Sequence, residues 1–154
     1  MENILKFDEY GLLYPYQIIK TDLETVQSTF VHNSHRQKLF DNYLSFLSDL
    51  QKLEIGSFFQ WIDGSYTTTK KFPKDIDIIT FINIDIYKFK RSRLDNLVWQ
   101  YPKIDCYFAE LYPNNHRLNA LNDWKINHWI DVYGSTKDDG FRPVLKKGIL
   151  QLNF

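Results

Sequence analysis

Two aspartates one residue apart, Asp75 and Asp77, open an apolar run, and Gly64-Ser65 stands a short polar connection upstream. On a strand alternate side chains share a face, so Asp75 and Asp77 project the same way. Their Cα atoms are then about 7 Å apart, at a rise of about 3.3 Å per residue. Two acceptor-only carboxylates at that spacing can converge on hard divalent cations. The Gly64-Ser65 turn can offer backbone N–H groups and a hydroxyl to a phosphate. A third acid, Asp105, lies near the start of the later run Lys103–Leu111. Phosphoryl and nucleotidyl transfer need these parts. Phosphates must be held, and metals about 3.5–4 Å apart must neutralise the attacking and leaving oxygens. Positioning and electrostatics then carry most of the rate. Asp95 and Glu110 compete as the third acid, though Glu110 faces the other side of an undistorted strand from Asp105.

The elements that must position these residues follow from pattern. Phe7–Pro15 reads as an irregular segment punctuated by Gly11 and Pro15. Thr21 or Asp22 caps a short helix through Phe30, with Glu24 in its first turn. Asn33 or Ser34 opens a longer helix to about Leu53. Its residues Leu39, Phe40, Tyr43, Leu44, Phe46, Leu47 and Leu50 recur at helical spacing as one core face. Phe58–Ile62 predicts a strand and Tyr66–Lys71 a helical turn, closed by Pro73. Asp75–Ile82 is a central strand, apolar on both faces beyond Asp77. Both aspartates therefore sit at one end of a buried strand. Asn83–Gln100 predicts a loop and a basic helix ending near Trp99. Lys103–Leu111 is a third strand, and Leu118–Val132 is a helix ended by Gly134. The tail Phe141–Phe154 is a final edge strand or an arm. The fold class is α/β (α+β): one domain, a short mixed sheet flanked by helices. Its parts are N-terminal helices at about 21–53, a core at about 55–111, and a C-terminal helix and arm at about 117–154.

Composition sets bounds. A chain of 154 residues has room for one core but no second lobe. Apolar residues make up 44%, which excludes a disordered chain. Zero formal net charge argues against general nucleic-acid binding. The single cysteine, Cys106, excludes an intrachain disulfide and fits a reducing cytoplasm. No signal peptide or membrane span is expected, so the expected location is cytoplasmic.

Gly64-Ser65, then Asp75-Ile76-Asp77-Ile78, resembles the signature of the DNA polymerase β-like nucleotidyltransferase superfamily. More narrowly, the chain resembles a family of small bacterial nucleotidyltransferase-like proteins. That likeness rests on Phe7–Leu13, Trp61–Tyr66, Lys70, Pro73, Asp75–Asp77, Ile104–Tyr107 and Lys147–Ile149. The resemblance implies that Asp75, Asp77 and Asp105 hold Mg²⁺ (or Mn²⁺), with Asp105 orienting the attacking hydroxyl. It implies that Gly64 and Ser65 hold the β- and γ-phosphates, and that Lys70 neutralises the triphosphate. Larger members carry a second lobe for base and acceptor that this chain has no room for. Small relatives of this type often occur in toxin–antitoxin or phage-defence gene pairs.

Plainer readings apply to the other residues singled out. His32 and His35 read as surface or capping groups, for want of a third ligand nearby. Lys88, Lys90, Arg91, Arg93, Lys146 and Lys147 read as solvated faces, and Asp63 as a turn residue. Cys106 reads as buried, and Trp61, Trp124 and Trp129 as core. The expected activity is metal-dependent transfer of a nucleoside monophosphate from a triphosphate, with ATP the expected donor, to a hydroxyl on a protein or RNA. A partner protein from a neighbouring gene is one expected acceptor. The alternative is a non-catalytic, antitoxin-like module that binds a nucleotide or a partner. A metal-dependent phosphohydrolase fits the carboxylates but leaves the Gly-Ser turn unexplained.

Overall fold

The computed structural model describes residues 4–154. A two-stranded hairpin, β1 (Lys6–Phe7) and β2 (Leu13–Tyr14), leads into β3 (Ile18–Lys20). The helices α1 (Leu23–Phe30) and α2 (Ser34–Gln51) follow, then β4 (Phe59–Asp63) and a 3-10 turn at Gly64–Thr67. Next come β5 (Ile76–Asn83), α3 (Ile84–Gln100), β6 (Ile104–Leu111), α4 (Leu121–Tyr133) and β7 (Ile149–Asn153). The expected single mixed α/β domain is present. One five-stranded sheet runs in the order β3-β7-β4-β5-β6, with β3·β7 and β5·β6 parallel and the other pairs antiparallel.

Local chemistry explains the helix starts. The carboxylate of Asp22 accepts from the Thr25 N–H at 2.7 Å, and the Asn33 side chain accepts from the Arg36 N–H at 2.8 Å. Each satisfies a donor that the first turn leaves open. Asn83 does the same for α3, so no loop separates β5 from that helix, contrary to expectation. The expected face of α2 is buried except for Leu44, which is 37% exposed.

The two faces of the sheet are covered differently. Even-numbered residues of β5 (Ile76, Ile78, Ile82) join Val26, Phe30, Tyr43, Phe46, Leu94 and Leu97 in a core beneath α1, α2 and α3. Odd-numbered residues (Ile79, Phe81) join Trp61, Ala109 and Ile149 beneath α4, against Ile126, Trp129 and Ile130. Asp63, Asp75, Asp77 and Asp105 have the odd parity and lie on the α4 face.

Two expectations change. Phe7–Pro15 is not irregular but a short hairpin whose turn is tied by Asp8, which accepts from the Tyr10 and Leu12 N–H groups. The C-terminal strand is not at the edge: β7 lies between β3 and β4, and the edge is the short β3. A strand with neighbours on both sides buries both faces, which accounts for the full burial of Ile149, Leu150 and Leu152. Each such side chain contributes about 1.5–3 kcal/mol, so three together rival the about 5–15 kcal/mol by which domains are stable. Truncation after Gly148 is therefore expected to abolish the cooperative thermal transition in circular dichroism. A melt like that of the full chain would show β7 to be dispensable.

Candidate active site

Strand register gathers the acids. Asp63 pairs with Asp77 across β4·β5, and Asp77 pairs with Asp105 across β5·β6. Residues directly opposite have Cβ atoms about 4.5–5.5 Å apart on one face. Asp63, Asp77 and Asp105 thus form a row across three strands, and Asp75 stands one residue before β5 on the same side. Asp77 is half-buried, Asp105 is exposed, and Asp63 is only 3% exposed. Burial, with the charges of Asp75, Asp105 and Asp63, pushes the Asp77 carboxyl up to about 6. Lys137 acts against that shift.

The turn and the acids form one surface. Gly64 has φ +75°, and a Cβ there would lie 1.8 Å from Oδ2 of Asp77. No other residue combines that backbone with that approach. Ser65 is half-buried beside it, and its carbonyl accepts from the Thr68 hydroxyl at 2.7 Å. Lys70 is exposed, and only its backbone is anchored at this site.

The connection from the turn to β5 is held from outside by the start of α2. Arg36 is fully buried and has no carboxylate partner among the described residues. Its guanidinium donates to the carbonyls of Phe30 (3.2 Å), Tyr66 (2.7 Å), Thr68 (2.8 Å) and Lys70 (2.5 and 3.1 Å). It also lies 5.0 Å from the centre of the Tyr66 ring. Asn33 donates to the Lys71 carbonyl at 2.8 Å, and His35 Nε2 to that of Pro73 at 2.5 Å. Thr69 N–H donates to the Gly11 carbonyl, and a Cβ on Gly11 would strike the Thr69 hydroxyl. His35 and Arg36 are therefore loop anchors.

Sequence reasoning missed three neighbours of the row. Lys147, expected on a solvated face, is buried with Nζ 3.0 Å from Oδ2 of Asp63. Asp63, expected only to fix the turn, is a fourth acid whose Oδ1 is buried without a hydrogen-bond partner. Burial pushes its carboxyl up to about 6, and Lys147 opposes the shift. Tyr133, the last residue of α4, has its hydroxyl raised by burial and then by Asp77, Asp63 and Asp105. The odd parity of Asp63 with Trp61 was a legible signal; Lys147 stood in the resembling piece Lys147–Ile149 without a role, and nothing local marked Tyr133. The Cys106 thiol lies 3.4 Å from the Thr80 hydroxyl and is pushed up to about 12 by burial, so it is no nucleophile at neutral pH. Of the tryptophans, Trp61 is core, Trp129 is half-buried, and Trp124 is 69% exposed.

The donor set is all carboxylate oxygen, which suits a hard divalent cation such as Mg²⁺. As they stand, no three His, Cys, Asp or Glu side chains among the described residues gather into a metal-holding group. Register places the backbones of Asp77 and Asp105 side by side.

Two measurements follow. Arg36→Lys replaces a fork by a single ammonium and leaves carbonyls unpaired, at about 1–3 kcal/mol each. Amide exchange should accelerate across residues 66–73 more than in β5; uniform acceleration would deny the loop-specific role. The second concerns pH. Asp63 and Asp77 have folded values near 6, above their ordinary 3.8. Their contribution to stability is complete below about pH 4 and is lost as pH rises through 6. Without divalent metal, Asp77→Asn should raise Tm at pH 7 by a few degrees, since about 1 kcal/mol is worth about 2–4 °C in a domain this size. The gain should shrink at pH 5, and a lower Tm at pH 7 would contradict the electrostatics.

The profile of a protein family described as a family of unknown function (DUF6932) matches residues 5–153. No curated protein and no solved structure matches the chain. No helix among the described residues is long and apolar enough to cross a membrane.

Proposed function

The chain belongs to the DUF6932 family of unknown function, and from its own residues we propose that it is a metal-dependent nucleotidyltransferase. The observation that carries the reading is the contact between Gly64 and the Asp77 carboxylate. Because of it, a triphosphate lying on the Gly64-Ser65 turn reaches the row of acids. In this reading Asp75, Asp77 and Asp105 hold Mg²⁺ or Mn²⁺. The ion supplies charge neutralisation on the phosphates and on the entering oxygen. Gly64 and Ser65 receive the β- and γ-phosphates. Asp105, the exposed member, faces the acceptor hydroxyl and holds it in line with the α-phosphorus. The hydroxyl oxygen bonds to that phosphorus, the bond to the β-phosphate bridging oxygen breaks, and pyrophosphate leaves. The hydroxyl proton passes to Asp105 or to water.

Lys70 serves only if its exposed side chain folds toward the phosphates. Lys137, whose charge lowers the Asp77 and Asp63 carboxyls, is the proposed second cation for the triphosphate. ATP is the proposed donor and a protein or RNA hydroxyl the proposed acceptor. The second reading is a non-catalytic module that binds a nucleotide or a partner.

Labelled nucleoside triphosphates with Mg²⁺, and candidate RNA and protein acceptors, separate the two. Transfer or pyrophosphate release is expected, lowered about a hundredfold or more by Asp77→Ala. Activity that survives Asp77→Ala removes the metal role of the acids. Mg²⁺-dependent ATP binding without turnover moves the assignment to the binding module.

A further inference from the structure

β6 ends the sheet. Its one strand neighbour is β5, so along Ile104–Leu111 the other edge has no strand partner among the described residues. A groove of about 530 Å³ follows that edge, walled by α3 on one side and α4 on the other. Exposed edges of this length are normally blunted by proline, lysine or a bulge. Ile104–Leu111 has no proline or lysine, and its central residues Cys106–Ala109 are uncharged.

The walls are aromatic on both faces. Tyr107, 56% exposed, packs with Trp129 at 4.8 Å beneath α4, where Trp124 is also exposed. Phe108 packs with Tyr87 at 6.1 Å on the α3 side, where Trp99 is 85% exposed. Three large aromatic side chains left in water around one strand edge are not explained by the core or by the row of acids.

We propose that this edge docks an extended segment of a partner protein, which adds to the sheet as a strand beside β6. An open row of backbone donors and acceptors is met in regular order only by another extended chain. The alternating side chains of such a chain would enter the two aromatic walls in turn. Charge points the same way. The walls hold Asp95, whose carboxylate is 3.9 Å from Arg91, and Glu110, whose carboxylate is 3.8 Å from Lys125 and whose carbonyl accepts from that lysine at 2.9 Å. With each of these cations paired, a phosphate backbone finds no free lysine or arginine in the walls, despite rings on which bases stack. A peptide without strong net charge fits. Asp105 stands near the start of the same strand, so one end of the docked segment lies next to the row of acids. The docking site does not rest on nucleotidyl transfer, because it is read without triphosphate.

The test is a selection of phage-displayed random nonapeptides on the full chain, followed by fluorescence anisotropy with the winning peptides. Alternating apolar positions and no strong net charge are expected. N-methylating the alternate amides on one register should weaken binding at least tenfold and leave the other register nearly unchanged. Trp124→Ala and Trp99→Ala, both at exposed positions, should each weaken binding several-fold without altering the melt. An empty selection, equal effects of the two N-methyl registers, or displacement by oligothymidylate would overturn the proposal. So would light scattering that finds a dimer broken by Trp124→Ala, since the edge would then belong to a second copy.

Discussion

The closest constraint in the molecule is the approach of the Gly64 backbone to the Asp77 carboxylate. It requires a residue without a side chain at φ +75°, at the end of one strand, beside an acid at the start of the next. A slip of β5 by one residue would turn Asp77 to the opposite face. Three separate parts of the chain hold this contact in place. Arg36 fills the loop behind the turn with charge-assisted hydrogen bonds to four carbonyls. Gly11 lets the N-terminal hairpin close against Thr69. Lys147 neutralises Asp63 one residue before Gly64. Gly148, where a Cβ would lie 2.6 Å from the Pro15 carbonyl, then lets the N-terminal segment pack against the base of β7.

The row of acids works against stability. Asp77 lies between like charges on both neighbouring strands and is partly removed from water, and both effects disfavour its ionised form. Opposed like charges are otherwise selected against in sheets. Among the described residues the only ion pair on the row is Lys147 with Asp63, and it leaves one buried oxygen of Asp63 without a partner. A fold that keeps such an arrangement on an otherwise apolar sheet face concentrates its electrostatic strain where chemistry is proposed.

Much of this was legible in the residues. Helical spacing, capping side chains and apolar runs identified α1, α2, β5 and β6 because those signals are local. The shared face of Asp75 and Asp77 follows from strand parity alone. β7 was misplaced because an apolar five-residue strand reads alike at an edge or in the interior; its neighbours are chosen by pairing with β3 and β4, distant in sequence. Lys147 looked like a solvated charge, and Arg36 drew no reading, because burial of a charge depends on partners that no window around it contains. The exposed ring of Trp124 was taken for core because an amphipathic pattern does not say whether a helix is wide enough to cover the strand edge beside it.

By itself, the sequence determined the types of α1, α2, β4, β5 and β6, the Gly-Ser turn, and the parity that sets the acids on one face. These depend on backbone sterics and alternation, which act within a few residues. The tertiary structure decided that Asp63, Asp77 and Asp105 stand in one row, and that Gly64 touches the middle one. It also decided that Arg36 and Lys147 are interior groups. Register between strands and the pairing of buried charge are settled only when distant segments meet, since each depends on the partner across the gap.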